Sequence, residues 1–369
     1  MSTRRVGVEE ELLLVDPGSG ALKAVSDRAL RGAPDADDVA VEQELFLQQI
    51  ETGTTARDTL SDLEDDLRAG RRAAGEAAAT AGAAVVAVAA PVLASQRPDV
   101  TPKDRYHAMM DRFGAVARAQ IVCGMHVHVD VADDDEAIGA FDRMRPWLPM
   151  LLALSANSPF WQGEDTGYAS WRSQVWQRWP TAGPTEPFGD AEGYRRVAQE
   201  LEATGAAMDT GMLYFDARPS RRYPTLELRS ADVCTEVDDT VLIAALSRGL
   251  VTTAAQAWSR GDPVPAVRTD LLRAATWRAS RYGIADMLVH PVSGELAPAR
   301  LVVEGLLGHV WPALTAAGDA TRVTELVERL FARGSGAARQ RAVREAHSGD
   351  LGAVVADLRR RTEASWRDR

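Results

Sequence analysis

Cysteine is scarce in this chain. Cys123 and Cys234 are the only two thiols in 369 residues. Two cysteines build neither a disulfide framework nor a thiolate zinc site, so both are expected to be reduced and buried, behaving as small apolar groups. Long apolar runs are missing as well. None approaches the roughly 20 residues of a membrane span; the longest, Ala77 to Leu93, is mostly alanine and is interrupted by Thr80, Gly82 and Pro91. The chain enters a strand-like segment directly after Met-Ser-Thr-Arg-Arg, with no stretch resembling a signal peptide, and a cytoplasmic location is the expectation.

Positive charge is also in deficit. The net charge of −11 and the lack of a Lys/Arg stripe argue against a nucleic-acid partner. The acidic runs Asp35-Ala36-Asp37-Asp38, Glu64-Asp65-Asp66 and Asp133-Asp134-Asp135-Glu136 read as solvated loops or helix starts. Two phosphate cradles are absent: there is no Gly-x-x-x-x-Gly-Lys-Ser/Thr loop, and no Gly-x-Gly-x-x-Gly follows a strand. Any nucleotide must therefore be held by other means.

Three short segments put charged or imidazole side chains two residues apart: Gly7-Val8-Glu9-Glu10-Glu11, Gly124-Met125-His126-Val127-His128 and Thr225-Leu226-Glu227-Leu228-Arg229. In a strand, residues i and i+2 share a face. Glu9 and Glu11 then part from Glu10, which joins Val8, Leu12 and Leu14. His126, His128 and Asp130 part from Met125, Val127 and Val129. Two readings of each segment stay open. The acidic pair is either an exposed edge or an interior face that needs a cation. The His-x-His pair suits a zinc hydrolase, but no third His or Cys ligand is evident, and the carboxylates favour magnesium or manganese. Glu227 and Arg229 form either an ion pair on a solvated face or a phosphate clamp, with Arg218 a second candidate.

The pattern predicts strands at Arg5 to Val15, Val41 to Glu51, Val85 to Val92 and Ile121 to Val131, and a strand pair at Gly211 to Arg218 and Pro224 to Ser230. Helices are expected over Ala56 to Ala81, over Pro102 to Ala119 with Thr101 as N-cap, from Asp133 to Ala156 with breaks at its prolines, and over Ala191 to Thr204. The aromatic stretch from Ser158 to Asp190 is too long for an idle loop. From Glu236 onward the pattern is helical. Strands and helices do not alternate steadily, so the fold class is α+β with an antiparallel sheet, one interleaved domain over residues 1–369 with a helical C-terminal part.

Taken in order, eight segments resemble the bacterial carboxylate–amine ligases of the type 2 glutamate–cysteine ligase family. They are Gly7 to Glu11 with Val15-Asp16-Pro17; Gln49-Ile50-Glu51-Thr52; Gly124 to Val129; Leu148 to Trp161; Asp165 to Arg172; Asp216-Ala217-Arg218-Pro219-Ser220; Pro224 to Arg229; and Trp277 to Gly283. The resemblance implies a glutamine-synthetase-like fold, a curved antiparallel sheet forming half a funnel backed by helices. It implies ATP-dependent amide formation through an acyl phosphate, from glutamate to cysteine or another amine, with Mg2+ or Mn2+. It assigns Glu9, Glu11, Glu51, His126 and Glu227 to the metal, and Arg229, Arg218 and His128 to the nucleotide. Glu9, Glu227 and Arg229 carry the catalysis. Trp161, Tyr168 and Arg172 fall on the substrate pocket, with Arg172 as a carboxylate holder. The implied partners are small-molecule acids and amines and a second copy in a homodimer. One departure is Asp130, where the family commonly has glycine.

Overall fold

The computed structural model of the protein describes residues 3–32, 41–95 and 97–367. Its centre is a seven-stranded sheet built from β1 (Val6–Val15), β2 (Val41–Gln43), β3 (Gln49–Gly53), β4 (Ala84–Val86), β5 (Gly124–Asp130), β8 (Ala217–Pro219) and β9 (Thr225–Asp232). Between them in sequence lies a small hairpin of β6 (Phe160–Trp161) and β7 (Glu164–Asp165). The sheet order is β2-β3-β1-β5-β9-β8, with β4 also on β1, and every pairing is antiparallel. β1 is thus an interior strand, and the edge reading of its acidic pair does not apply. Glu9 pairs with both Gly53 and His126, so β3 and β5 flank it on opposite sides.

Strand alternation sorts the side chains of β1. Val8, Leu12 and Leu14 go to a buried layer with Met125, Val127, Ile50, Leu226 and Leu228. Helices cover that layer. Leu60–Thr80 contributes Leu63, Leu67 and Ala74 from one face, and its start is capped by Thr59, whose hydroxyl accepts from the Asp62 amide at 3.1 Å. Val237–Ser259 runs buried behind the sheet; among the described residues it is the one helix long and apolar enough to cross a membrane, and most of it lies inside the fold. The last helix, Leu351–Arg367, returns to the first third of the chain, where Thr362 Oγ1 accepts from the Ala87 amide.

Several expectations need correction. Val41 to Glu51 is two paired strands joined by a turn, because the alternation breaks after Gln43. The helix expected from Pro102 to Ala119 is Asp104–Phe113 followed by Ala115–Arg118. It breaks at Gly114, whose φ of 55° suits glycine. Thr101 is not its cap; the Thr101 hydroxyl donates instead to the Glu44 carbonyl. The C-terminal part is not purely helical, since β10 (Met287–Val289) and β11 (Leu296–Pro298) form a hairpin. Of the acidic runs, Glu64 pairs with Arg68 and Arg322, Asp66 with Arg57, and Glu136 with Arg4, so these are anchored rather than merely solvated. Asp35-Ala36-Asp37-Asp38 lies outside the described residues. Both cysteines are free and buried.

Candidate active site

The face of the sheet opposite the buried layer is polar, and register decides what meets there. Glu9 sits across from His126, Glu11 from Glu51, His128 from Glu227, and Glu227 from Arg218. All seven, with Arg229, line one cavity of about 380 Å³. Its other walls come from loops and helices: Glu44 beyond β2, Lys103, Arg105 and Tyr106 at the start of helix Asp104–Phe113, Trp176 and Trp179 from the aromatic stretch, and Tyr214 before β8.

The first cluster is well compensated. Glu9 reaches both imidazoles, at 3.2 Å from His126 Nδ1 and 3.4 Å from His128 Nε2. Burial opposes its ionisation, yet the two imidazoles hold the Glu9 carboxyl well below the usual range. Glu227 is gripped by Arg218 Nε at 2.9 Å and by Arg229. Burial again opposes the charge, and the two guanidinium groups overcome it. Burial, then the nearby Arg229 charge, lowers the His126 pKa and favours the neutral ring that a cation can use.

The second cluster is less compensated: Glu11 accepts from the Gly124 amide at 2.6 Å and lies 3.9 Å from His126 Nε2. Oxygens of Glu11, Glu44 and Glu51 lie within 4.8 Å of one another, as do ligand atoms of Glu9, His126 and Glu227. Carboxylates at that spacing repel by roughly 3–4 kcal/mol per pair at an effective dielectric near 20. Burial first, and Glu44 next, push the carboxyls of both Glu11 and Glu51 upward. His126 Nε2 is buried without a hydrogen-bond partner. An oxygen-rich donor set with one imidazole, an unsatisfied polar atom and mutual repulsion is what a pair of hard divalent cations would relieve.

Glu9, Glu11, Glu51, His126, His128, Arg218, Glu227 and Arg229 therefore come together, whereas Trp161, Tyr168 and Arg172 are not among the lining residues. Trp161 packs beside Ala90, Val122 and Val175. Tyr168 accepts from Trp277 Nε1 at 3.2 Å and lies under the Arg281 guanidinium. Arg172 is buried against main-chain carbonyls of β9. The reason is local: Ser170 caps helix Trp171–Trp176, and it is Trp176 at the far end that reaches the cavity. Glu44 escaped the sequence reading. A continuous strand through Val41 to Glu51 puts Glu44 and Glu51 on opposite faces, while the real turn folds Glu44 back beside its partner.

The profile of the glutamate–cysteine ligase family 2 (GCS2) matches residues 5–357. A Frankia alni protein provisionally named glutamate–cysteine ligase 2-2 is 52% identical over 353 residues, 92% of each chain. A Nocardioides protein, provisionally named glutamate–cysteine ligase 2-1, is 50% identical over 99% of this chain and 97% of its own. Among solved structures, the fold is shared with a glutamate–cysteine ligase from Francisella tularensis in complex with AMP (TM-score 0.68, 12% identity, 99% of this chain and 93% of that one). It is shared too with a bifunctional glutathione synthetase from Pasteurella multocida (TM-score 0.70, 16% identity, 99% of this chain and 53% of that one). The glutamine-synthetase-like α+β fold anticipated from the sequence thus stands, and the chain belongs to the glutamate–cysteine ligase family 2.

Proposed function

We propose that this protein is an ATP-dependent carboxylate–amine ligase that makes an amide through an acyl phosphate, with glutamate as the acid and cysteine or another small amine as the acceptor. The observation that carries the reading is the register of β1, β3, β5, β8 and β9, which converges four acidic side chains, two imidazoles and two arginines on one cavity. Glu9, His126 and Glu227 suit one divalent cation, and Glu11, Glu51 and Glu44 a second, Mg2+ or Mn2+ by the hardness of their oxygens. Bound there, the ions supply charge neutralisation for the nucleotide phosphates.

The chain's own residues do the rest. Arg229 and Arg218 face the transferring phosphoryl group, where fixed guanidinium forks stabilise developing charge. His128 is held by Thr225 Oγ1 at 2.9 Å and lies beside Glu9, at the nucleotide end of the cluster. The acid's carboxylate oxygen attacks the terminal phosphorus and ADP departs. The amine nitrogen then attacks the acyl carbon and phosphate leaves. Lys103, Arg105 and Tyr106 stand across the cavity, suited to hold the charged groups of amino-acid substrates.

A zinc hydrolase built on His126 and His128 fits less well. Glu9 lies between the two rings, and the group around His126 adds two carboxylates rather than a second imidazole. A screen of acid and amine pairs with Mg2+ and ATP, read as ADP release and by mass spectrometry of the amide, tests the proposal. Glutamate-dependent ADP release with a new amide supports it; hydrolysis without ATP, coupled to stoichiometric zinc, replaces it.

A further inference from the structure

β9 does not pair smoothly with β5. Met125 faces Ala231 and Val127 faces Leu228, so Arg229 and Ser230 together stand opposite the single residue His126. This is a β-bulge, and a bulge takes carbonyl groups out of the regular ladder. One side chain meets both carbonyls at that point. Arg172 donates from Nη2 to the Arg229 oxygen at 3.2 Å and from Nη1 to the Ser230 oxygen at 3.3 Å. Its guanidinium is buried, 3.9 Å from Asp232 and over the ring of Trp176.

The seat for that guanidinium is built from several directions. A side chain at Gly124 would place its Cβ 2.4 Å from Arg172 Nη2, so glycine there leaves the room the guanidinium fills. The Gly124 amide in turn donates to Glu11 Oε2 at 2.6 Å. Asp232, which faces Arg172, is itself held by the hydroxyls of Ser158 and Ser170, each at 2.8 Å. The Arg172 amide donates to Ser158 Oγ. Arg172 therefore ties the segment after β7 to the backbone that carries Arg229, without reaching the cavity.

We infer that Arg172 is a positioning residue: by satisfying both carbonyls of the bulge it fixes the main chain from which Arg229 reaches the phosphate end of the cavity. The inference rests on the nucleotide reading of Arg229 above. It replaces the role of carboxylate holder expected from the sequence, and it moves Arg172 from substrate recognition to the geometry of phosphate binding. Neutral or shorter side chains leave one or both bulge carbonyls buried without a donor, and the strand then relaxes where Arg229 needs to be aimed.

The experiment is a calorimetric titration with Mg2+ and a non-hydrolysable ATP analogue, no acid or amine present, on wild type, R172K, R172Q, R229A and R172Q/R229A, each checked for folding by circular dichroism. At least tenfold weaker nucleotide binding is expected for R172Q. R172K, whose ammonium serves one carbonyl at a time, is expected to fall between it and wild type. The double variant is expected to bind within twofold of R229A, because both substitutions remove the same interaction. If R172Q fails to fold, R172K carries the test alone. Wild-type nucleotide affinity in R172Q or R172K, or additive losses in the double variant, overturns the inference. A wild type that binds no nucleotide removes the function proposed above and this inference with it; the two failures are told apart by the wild-type titration.

Discussion

Glu10 and Arg71 form a bidentate ion pair in the buried layer behind the sheet, with Nη2 to Oε1 at 2.6 Å and Nε to Oε2 at 2.8 Å. Arg71 also donates to the carbonyls of Cys234 and Thr235, and Thr240 Oγ1 donates to Glu10. The pair faces away from the cavity, and its neighbours on the same strand, Glu9 and Glu11, face into it. One acidic triplet thus serves two layers. Locking Glu10 to helix Leu60–Thr80 holds β1 in the register that presents the other two.

Removing one partner strands a buried charge. Arg71→Met is expected to lower stability by about 3–5 kcal/mol. Adding Glu10→Gln to that variant recovers part of the loss, since the orphaned charge is gone. Urea unfolding of the three proteins measures this; an unchanged midpoint in Arg71→Met contradicts it.

Glu9→Gln and Glu227→Gln keep the shape of the cavity but change its charge. Each is expected to reduce ADP formation by at least about 10²-fold while the circular dichroism spectrum and melting temperature stay near those of wild type. Turnover close to wild type in either variant would remove the metal role proposed for that residue.

Glu44 supplies the third carboxylate of the second cluster. Glu44→Gln is expected to weaken Mn2+ binding at one of two sites at least about tenfold, with Glu9-dependent binding retained. It also relieves the repulsion that raises Glu11 and Glu51, so the metal-free protein becomes slightly more stable. Mn2+ titration followed by electron paramagnetic resonance reads the first effect and thermal melting the second; unaltered Mn2+ stoichiometry and affinity count against the assignment.

Asp239 gives the protein a pH-dependent term away from the cavity. Burial raises its pKa from the ordinary 3.8 to about 6, and the paired Arg333 only partly offsets the burial. The folded state therefore holds this proton more tightly than the unfolded chain does. Its contribution to stability is full below about pH 4 and is lost as pH rises through about 6, a change on the order of 3 kcal/mol. Asp239→Asn removes this term. Urea stability of the two proteins between pH 4 and 7 checks it: the wild type should lose stability relative to the variant as pH rises, and parallel curves contradict it.

Much of this was visible along the chain. Strict alternation in β1 and β5 divided Glu9 and Glu11 from Glu10, and His126 and His128 from Val127, as the structure divides them. The helix from Ala191 to Thr204 was bounded correctly because Asp190 caps it and Gly205 ends it in a left-handed turn. Where the signal failed, the deciding contact was distant. Thr101 looks like a cap from its neighbours, yet its hydroxyl serves the Glu44 carbonyl. Arg172 looks like a free guanidinium in an aromatic loop, yet two carbonyls of β9 claim it.

By itself the sequence determined which side chains share a face, because a strand's period of two is a property of the local backbone. It also determined the family, through motifs that keep their order along the whole chain. Tertiary structure alone decided which faces meet. The turn that brings Glu44 to Glu51, the bulge that sets Arg229 opposite His126 and the burial of Arg172 all depend on pairing between segments far apart in sequence. No local periodicity encodes a partner that only the folded sheet supplies.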